Sequence, residues 1–302
     1  MARDTNAPVP ICNACCAADD ASALPRHLPV MSASFSNPSN HINCRRRADR
    51  RVSTHPLAAE LAQAVAQGAI ELRFQPQFDC ETGQVRGVEA LARWSHPQQG
   101  EINGEELFCI AGGAGLSHDL SLHVLNRALV EASHWPERSR LSVNITAEDL
   151  AASGFLDSVA QALADSGIAP ERLTLEITEQ ALVHDLEGSA ERLHKLVELG
   201  VCIALDDFGA GFCNFRYLKK LPLQYLKLDR SMVEDIARDV RDLEILRGII
   251  AMASALDLAV IAEGIEAQEQ LDAVTREGCE GWQGFLGARP MAADSVLQYV
   301  SA

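Results

Sequence analysis

From His55 onwards the chain alternates between two hydrophobic rhythms. In some stretches apolar residues recur every three or four positions, the period of a helix face; in others they alternate, as in a half-buried strand. Leu57, Leu61 and Val65 stripe a helix expected over Pro56–Gln67, and a strand at Glu71–Pro76, a turn at Glu81-Thr82-Gly83 and a strand at Val85–Trp94 follow. Further strands are expected at Leu141–Thr146, Leu173–Thr178, Cys202–Asp207, Tyr225–Asp229, Ala259–Glu263 and Glu280–Gly284. Amphipathic runs lie between them at Asp119–Ala132, Gly154–Ser166, Ser189–Leu199, Val240–Leu256 and Ala267–Glu277. Eight strands in repeated β-α units over about 245 residues have the size and rhythm of a (β/α)8 barrel. A doubly wound open sheet shows the same alternation, but strand number and length favour the barrel.

In a parallel barrel one strand face packs on helices and the other lines the interior, so residue parity sorts the side chains. Leu141, Val143 and Ile145 belong to the helix-facing set, whereas Ser142, Asn144 and Thr146 face inward. Applied to every strand, this places Glu89, Asn144, Glu176, Asp206, Lys227, Glu263 and Gln283 on the polar parity of seven different strands. Most stand towards the C-terminal strand end, where barrel enzymes place their chemistry. A lone inward Asn or Gln usually satisfies backbone groups, and a lone Lys–carboxylate pair is usually structural. Together, however, these residues bring Glu89, Glu176, Asp206, Asp207 and Glu263 against Lys227 and Arg93, and without cations several of the carboxyls must stay protonated at neutral pH.

The sharpest single feature is Ala204-Leu205-Asp206-Asp207-Phe208-Gly209, a strand running into paired aspartates and a glycine-rich turn. Adjacent carboxylates pointing to opposite sides can be shared between two cations about 3.5–4 Å apart. An isolated Asp-Asp turn is more often a solvated cap; the other strand ends change that balance. The ligand atoms offered are all oxygens, which selects hard cations such as Mg2+ or Mn2+ over zinc and implies phosphoryl-ester hydrolysis.

Charge narrows the partners. The net charge of −16 argues against long nucleic acid, yet a small anion held through divalent cations remains compatible. Residues 1–53 carry a net of +3 and the remainder about −19, marking a boundary near Ser53-Thr54. The first 53 residues lack either period and read as a disordered tail, and their cysteine cluster lacks the paired spacing of a zinc site. The apolar stretch Gly248–Ala262 is broken by Asp257 and too short for a membrane span, and no signal peptide is visible, so a cytoplasmic location without membrane contact is expected. Cys80, Cys109, Cys202, Cys213 and Cys279 are scattered singly, as expected of free thiols in a reducing compartment.

With these residues assembled, the chain from about Pro56 to its end resembles the EAL-domain family of cyclic di-GMP phosphodiesterases. Glu89-Ala90-Leu91 matches the motif that names the family, within Glu89-Ala90-Leu91-Ala92-Arg93-Trp94. Also similar are Phe74-Gln75-Pro76, Val143-Asn144-Ile145-Thr146, Leu175-Glu176-Ile177-Thr178-Glu179, Asp206-Asp207-Phe208-Gly209, Leu226-Lys227-Leu228-Asp229, Ala262-Glu263-Gly264-Ile265-Glu266 and Gln283-Gly284-Phe285. The bare tripeptide means nothing; the ordered set is specific.

The resemblance implies a TIM-like (β/α)8 barrel with an antiparallel first strand, preceded by the tail, so that residues 54–302 form the phosphodiesterase domain. It implies hydrolysis of cyclic di-GMP to linear pGpG with two ions, Mg2+ or Mn2+, in a chain that forms a homodimer. Glu89, Asn144, Glu176 and Asp206 look like ligands of one ion; Asp206 and Asp207 look like ligands of the second, with Glu263 beside it. Lys227 would orient the attacking water and Glu263 would act as general base. Gln75, Arg93 and Gln283 would serve substrate binding, and Glu179 looks like the glutamate that braces the loop after Asp207. Departures from the family pattern concentrate in that loop, where Ala210 and Cys213-Asn214 replace Thr and Ser-Ser; Gln224 stands where Asp is common. Phe108–Gly113 lacks the usual proline and acidic residues, and its two glycines should weaken a local helix. An effector or scaffold module that keeps the pocket but turns over slowly is the alternative reading.

Overall fold

The computed structural model describes residues 57–182, 185–211 and 218–301. The expected tail, and the substitutions at Cys213 and Asn214, lie outside the described residues. The strands are β1 (Ile70–Asp79), β2 (Val85–His96), β3 (Gly100–Ile102), β4 (Arg140–Asn144), β5 (Leu173–Thr178), β6 (Cys202–Phe208), β7 (Tyr225–Leu228), β8 (Ala259–Ala262) and β9 (Gly281–Trp282). They are ordered β1-β9-β8-β7-β6-β5-β4-β2, and β1 pairs with β2 to close an eight-stranded barrel, with β3 appended to the free part of β2. β1 is antiparallel to both neighbours, β2 and β9, while the pairs from β2–β4 round to β8–β9 are parallel.

The reversed first strand follows from its short connection. Parallel strands need a long crossover, whereas only Cys80–Gln84 join β1 to β2. Asp79 organises that turn: one carboxylate oxygen accepts from the Glu81 and Thr82 amides at 3.0 and 2.8 Å and from the Thr82 hydroxyl at 3.0 Å. These donors, the Thr82 amide first, hold the Asp79 carboxyl below its ordinary range. Gly83 then takes φ +68°, a backbone a side chain would strain.

The outward parity of the strands is buried under the helices: Val88, Leu141, Leu175, Ile203, Leu226 and Val260 all belong to one continuous core. Helices at Ala58–Ala66, Ser117–Ala132, Phe155–Ser166, Leu186–Glu198, Val240–Ala255 and Gln268–Glu277 fall where the hydrophobic period puts them, within a few residues. Periodicity passes over β3, the short helix Ala147–Ala151 and the final helix Ala293–Val300, which are too short to show a period. Contrary to its glycine content, Gly104–Ala114 is a helix through Gly112 and Gly113. Asn103 caps its start by accepting from the Glu106 amide, Gly115 ends it at φ 70°, and Leu107, Ile110 and Ala111 anchor it in the core.

Cys80, Cys202 and Cys279 are free thiols, but Cys109 is disulfide-bonded, which corrects the expectation for that residue. Scatter along a sequence does not reveal which sulfurs meet in space. Among the described residues no helix is long and apolar enough to cross a membrane.

Candidate active site

Lys227 occupies the centre of the barrel mouth. It is 0% exposed, and its Nζ lies 2.6 Å from Glu176 Oε2, 2.8 Å from Glu263 Oε1, 3.1 Å from Asp206 Oδ1 and 3.9 Å from Glu89 Oε2. Four strands, and the residue that follows β8, thus deliver their side chains to one point, as parity requires. Burial alone would discharge this ammonium; the Asp206, Glu176, Glu263 and Glu89 carboxylates outweigh it and hold the Lys227 pKa well above its ordinary value. One cation facing four carboxylates cannot neutralise them. Burial, followed by the neighbouring negative charges, pushes Glu176 up to about 8 and Glu263 well above the usual carboxyl range, although Lys227 opposes both shifts.

Amide side chains complete the inner ring. Asn144 Nδ2 donates to Glu89 Oε1 at 2.9 Å, and Gln283 Nε2 donates to Glu89 Oε2 at 2.7 Å and Gln75 Oε1 at 3.0 Å. Gln75 in turn donates to the Ala288 carbonyl at 3.0 Å, tying the first strand to the segment after the last. Gln283 owes its position to Gly284, because a Cβ at residue 284 would fall 2.0 Å from the Ile265 carbonyl oxygen.

Asp207 reaches the same mouth by a different route. Strict alternation would turn it away from Asp206, but the β6–β7 register breaks between Leu205 and Phe208, and Asp207 takes φ +55°. This left-handed residue brings the Asp206, Asp207 and Glu263 ligand atoms within 4.8 Å of one another. The side chain is exposed to solvent, yet it stands in the cleft; lost hydration and then the adjacent Asp206 charge push its carboxyl up to about 6.

The donor set fits hard divalent cations. Among the described residues, Asp206 Oδ1 and Gln283 Oε1 are buried oxygens without a hydrogen-bond partner; the 3.1 Å approach of Lys227 to Asp206 Oδ1 is an ion pair off the hydrogen-bonding direction. Such orphaned acceptors, beside a triad of converging carboxylates, are what a cation would satisfy.

Two sequence-selected residues stand apart. Arg93 donates to the Ala92 carbonyl at 2.8 Å and approaches Glu101 of β3 at 4.0 Å, so it makes no direct ion pair within the ring and acts on Glu89 only through the longer-range field. Glu179 is buried at the start of the helix Glu179–Leu182, one residue beyond β5. Gln224, the other departure, is a splice between strands: its side chain accepts from the Ile203 amide at 2.7 Å and donates to the Pro222 carbonyl at 3.1 Å. Sequence reasoning missed Gln77, whose amide is 3.5 Å from Glu176 Oε1, and Arg230, which pairs with Glu266 at 2.9 Å beside the cleft. The parity of Gln75 and Gln77 on β1 was the signal for the first; nothing in the local pattern marks the second.

A cleft of about 350 Å3 opens over this ring, lined by Gln75, Glu89, Asp206, Asp207, Glu263 and Gln283 among others. Fold and site together define a (β/α)8-barrel protein with an acidic, lysine-centred site at the strand C-termini. The chain belongs to the EAL domain family, whose model matches residues 58–290. It is 39% identical over 249 residues to the cyclic di-GMP phosphodiesterase NbdA of Pseudomonas aeruginosa, a match covering 80% of this chain and 32% of that protein. The PaMucR phosphodiesterase, solved as a c-di-GMP complex, superimposes with a TM-score of 0.76 at 36% identity, covering 80% of this chain and all of that one. The FimX EAL domain of Pseudomonas aeruginosa bound to c-di-GMP gives 0.74 at 27% identity, covering 80% and 100%. The chain thus spans about a third of the length of the curated relative NbdA.

Proposed function

We propose that this chain hydrolyses cyclic di-GMP to linear pGpG, using two divalent cations, Mg2+ or Mn2+. The observation that carries the reading is the convergence of Glu89, Glu176, Asp206 and Glu263 on buried Lys227 at the floor of the cleft. Likeness to solved EAL proteins holding c-di-GMP supports the substrate. Glu89, Asn144, Glu176 and Asp206 would hold one ion, and Asp206, Asp207 and Glu263 the other. Bound there, the ions would supply charge stabilisation at the phosphorus and lower the pKa of the attacking water.

The chain's own groups do the rest. Lys227, fixed by several carboxylates, orients the water and offsets negative charge developing on the phosphoryl oxygens. Glu263 accepts the water proton, standing 2.8 Å from the Lys227 Nζ that orients the water. Gln75 and Gln283 are locked together at 3.0 Å and present a rigid polar wall to the dinucleotide. Arg93, half-buried at the edge of β2, would meet a phosphate. Glu179 would brace the loop that follows Asp207. Residues 54–302 would constitute the catalytic domain, acting as a homodimer in the cytoplasm.

The test is chromatographic. Full-length protein incubated with cyclic di-GMP should release pGpG with Mg2+ or Mn2+ and none with EDTA, and Glu89→Ala should lower turnover at least about a hundredfold. Ala210, where the family resemblance leads one to expect a threonine hydroxyl beside the Asp207 turn, favours the second reading, an effector that binds without efficient turnover. Well-folded protein that binds the dinucleotide by calorimetry but yields no product would establish it instead.

A further inference from the structure

Six of the inward site residues have a small or polar companion two positions deeper on the same strand, whereas Lys227 and Glu263 stand above the bulky Tyr225 and Ile261. Below Gln75, Glu89, Asn144 and Glu176 stand Gln77, Gly87, Ser142 and Thr174; below Asp206 and Gln283 stand Ala204 and Gly281. A barrel interior is ordinarily filled by layers of bulky branched side chains. Here the deeper positions instead border an interior cavity of about 30 Å3, room for about two water molecules. Its lining is mixed, with Phe78, Ala204 and Ile261 beside Gln77, Ser142 and Thr174. Tyr225, with the Arg140 guanidinium 5.7 Å from its ring centre, stands at the far side of the cavity from the substrate cleft.

One side chain joins this cavity to the reactive ring. Gln77 is buried, borders the cavity, and holds its Nε2 3.5 Å from Glu176 Oε1, while the other oxygen of Glu176 meets Lys227 at 2.6 Å. Its antiparallel partner across β2 is Gly87, and a Cβ there would stand 3.0 Å from Gln77 Oε1. The missing side chain at residue 87 is therefore the slot in which the Gln77 amide lies. Gln77, by a long hydrogen bond, and Lys227, by a short one, thus address the two different oxygens of one carboxylate, an arrangement that selects the rotation of its plane.

We infer that Gln77 is a positioning residue for Glu176, seated in the layer beneath the reactive ring. It touches neither substrate nor attacking water. It sets the angle at which Glu176 faces Lys227 and a bound cation. The kinetic part rests on the proposed phosphodiesterase activity; the geometric part does not.

The test compares wild type with Gln77→Met, which keeps length and loses the amide, and with Gly87→Ala, which crowds the amide from the opposite strand. Both should lower kcat about 10- to 100-fold with little change in KM for cyclic di-GMP, and Gln77→Glu, which sets a second carboxylate against Glu176, should be worse than Met. A space-filling glutamine would leave Gln77→Met within twofold of wild type. High-resolution crystal structures of wild type and Gln77→Met supply a readout independent of turnover: a rotated Glu176 carboxylate in the variant is expected. A Glu176 unmoved in the variant overturns the inference. Should Gln77→Met not fold, Gly87→Ala is read by the same two measurements. If the wild type itself has no activity, the phosphodiesterase reading fails, and the crystal structures still decide the role of Gln77.

Discussion

Lys227 is a buried ammonium held charged by its neighbours, and its removal separates catalysis from packing. Lys227→Met should fold, because the facing carboxyls can take up protons, but should lose about 10²- to 10³-fold in kcat, measured as pGpG release. Glu176 makes a complementary expectation about pH. Its folded pKa, about 8, lies above the ordinary 4.5, so between those values the folded chain keeps a proton that the unfolded chain releases. The stabilisation is complete below the lower value and is lost as pH rises through the higher one. In EDTA the melting temperature should therefore fall between about pH 5 and pH 8, and Glu176→Gln should flatten that slope. Divalent cation reverses the effect: Mn2+ at a hundred times its dissociation constant should add about 2.7 kcal/mol, read as a rise in Tm at pH 8.

At the scale of the element, local chemistry overrides propensity in two places that matter. The helix Gly104–Ala114 carries Gly112 and Gly113, yet its Asn103 cap and its apolar anchors in the core keep it helical. A Cβ at residue 113 would meet nothing within 4 Å, so Gly113→Ala should stabilise the protein by about 1 kcal/mol, whereas Asn103→Ala should cost about 1 kcal/mol, both by denaturant titration. In β6 the break in register does the opposite service, giving up a regular strand so that Asp207 turns into the cleft at φ +55°. The alternation that predicted Asp206 correctly would have sent Asp207 elsewhere.

For the whole molecule the governing quantity is charge. A chain of net −16 concentrates carboxylates in the very cleft proposed to receive a doubly anionic dinucleotide. Without cations the approach is repulsive, so calorimetry should show cyclic di-GMP binding at least about tenfold weaker in EDTA than with Ca2+ or Mn2+. Asp207→Asn should recover part of that loss in EDTA, since it removes a negative charge from the mouth. Binding unaffected by chelation would place the dinucleotide on other contacts.

Much of this was written in the chain itself. The 3.6- and 2-residue periods determined the β-α alternation, and parity alone selected the inward Glu89, Asn144, Glu176, Asp206, Lys227, Glu263 and Gln283, because a strand cannot place neighbouring side chains on the same face. Tertiary structure decided what no period encodes. Closure of β1 onto β9 brings Gln75 to Gln283, residues 208 positions apart, and chain-distant contacts leave no local pattern. The β6 irregularity turned Asp207 into the cleft, the β3 hairpin drew Arg93 aside, and the glycine at 87 left room for Gln77 to reach Glu176 from below. Each depends on where one strand's backbone stands relative to another's, which only the closed barrel sets.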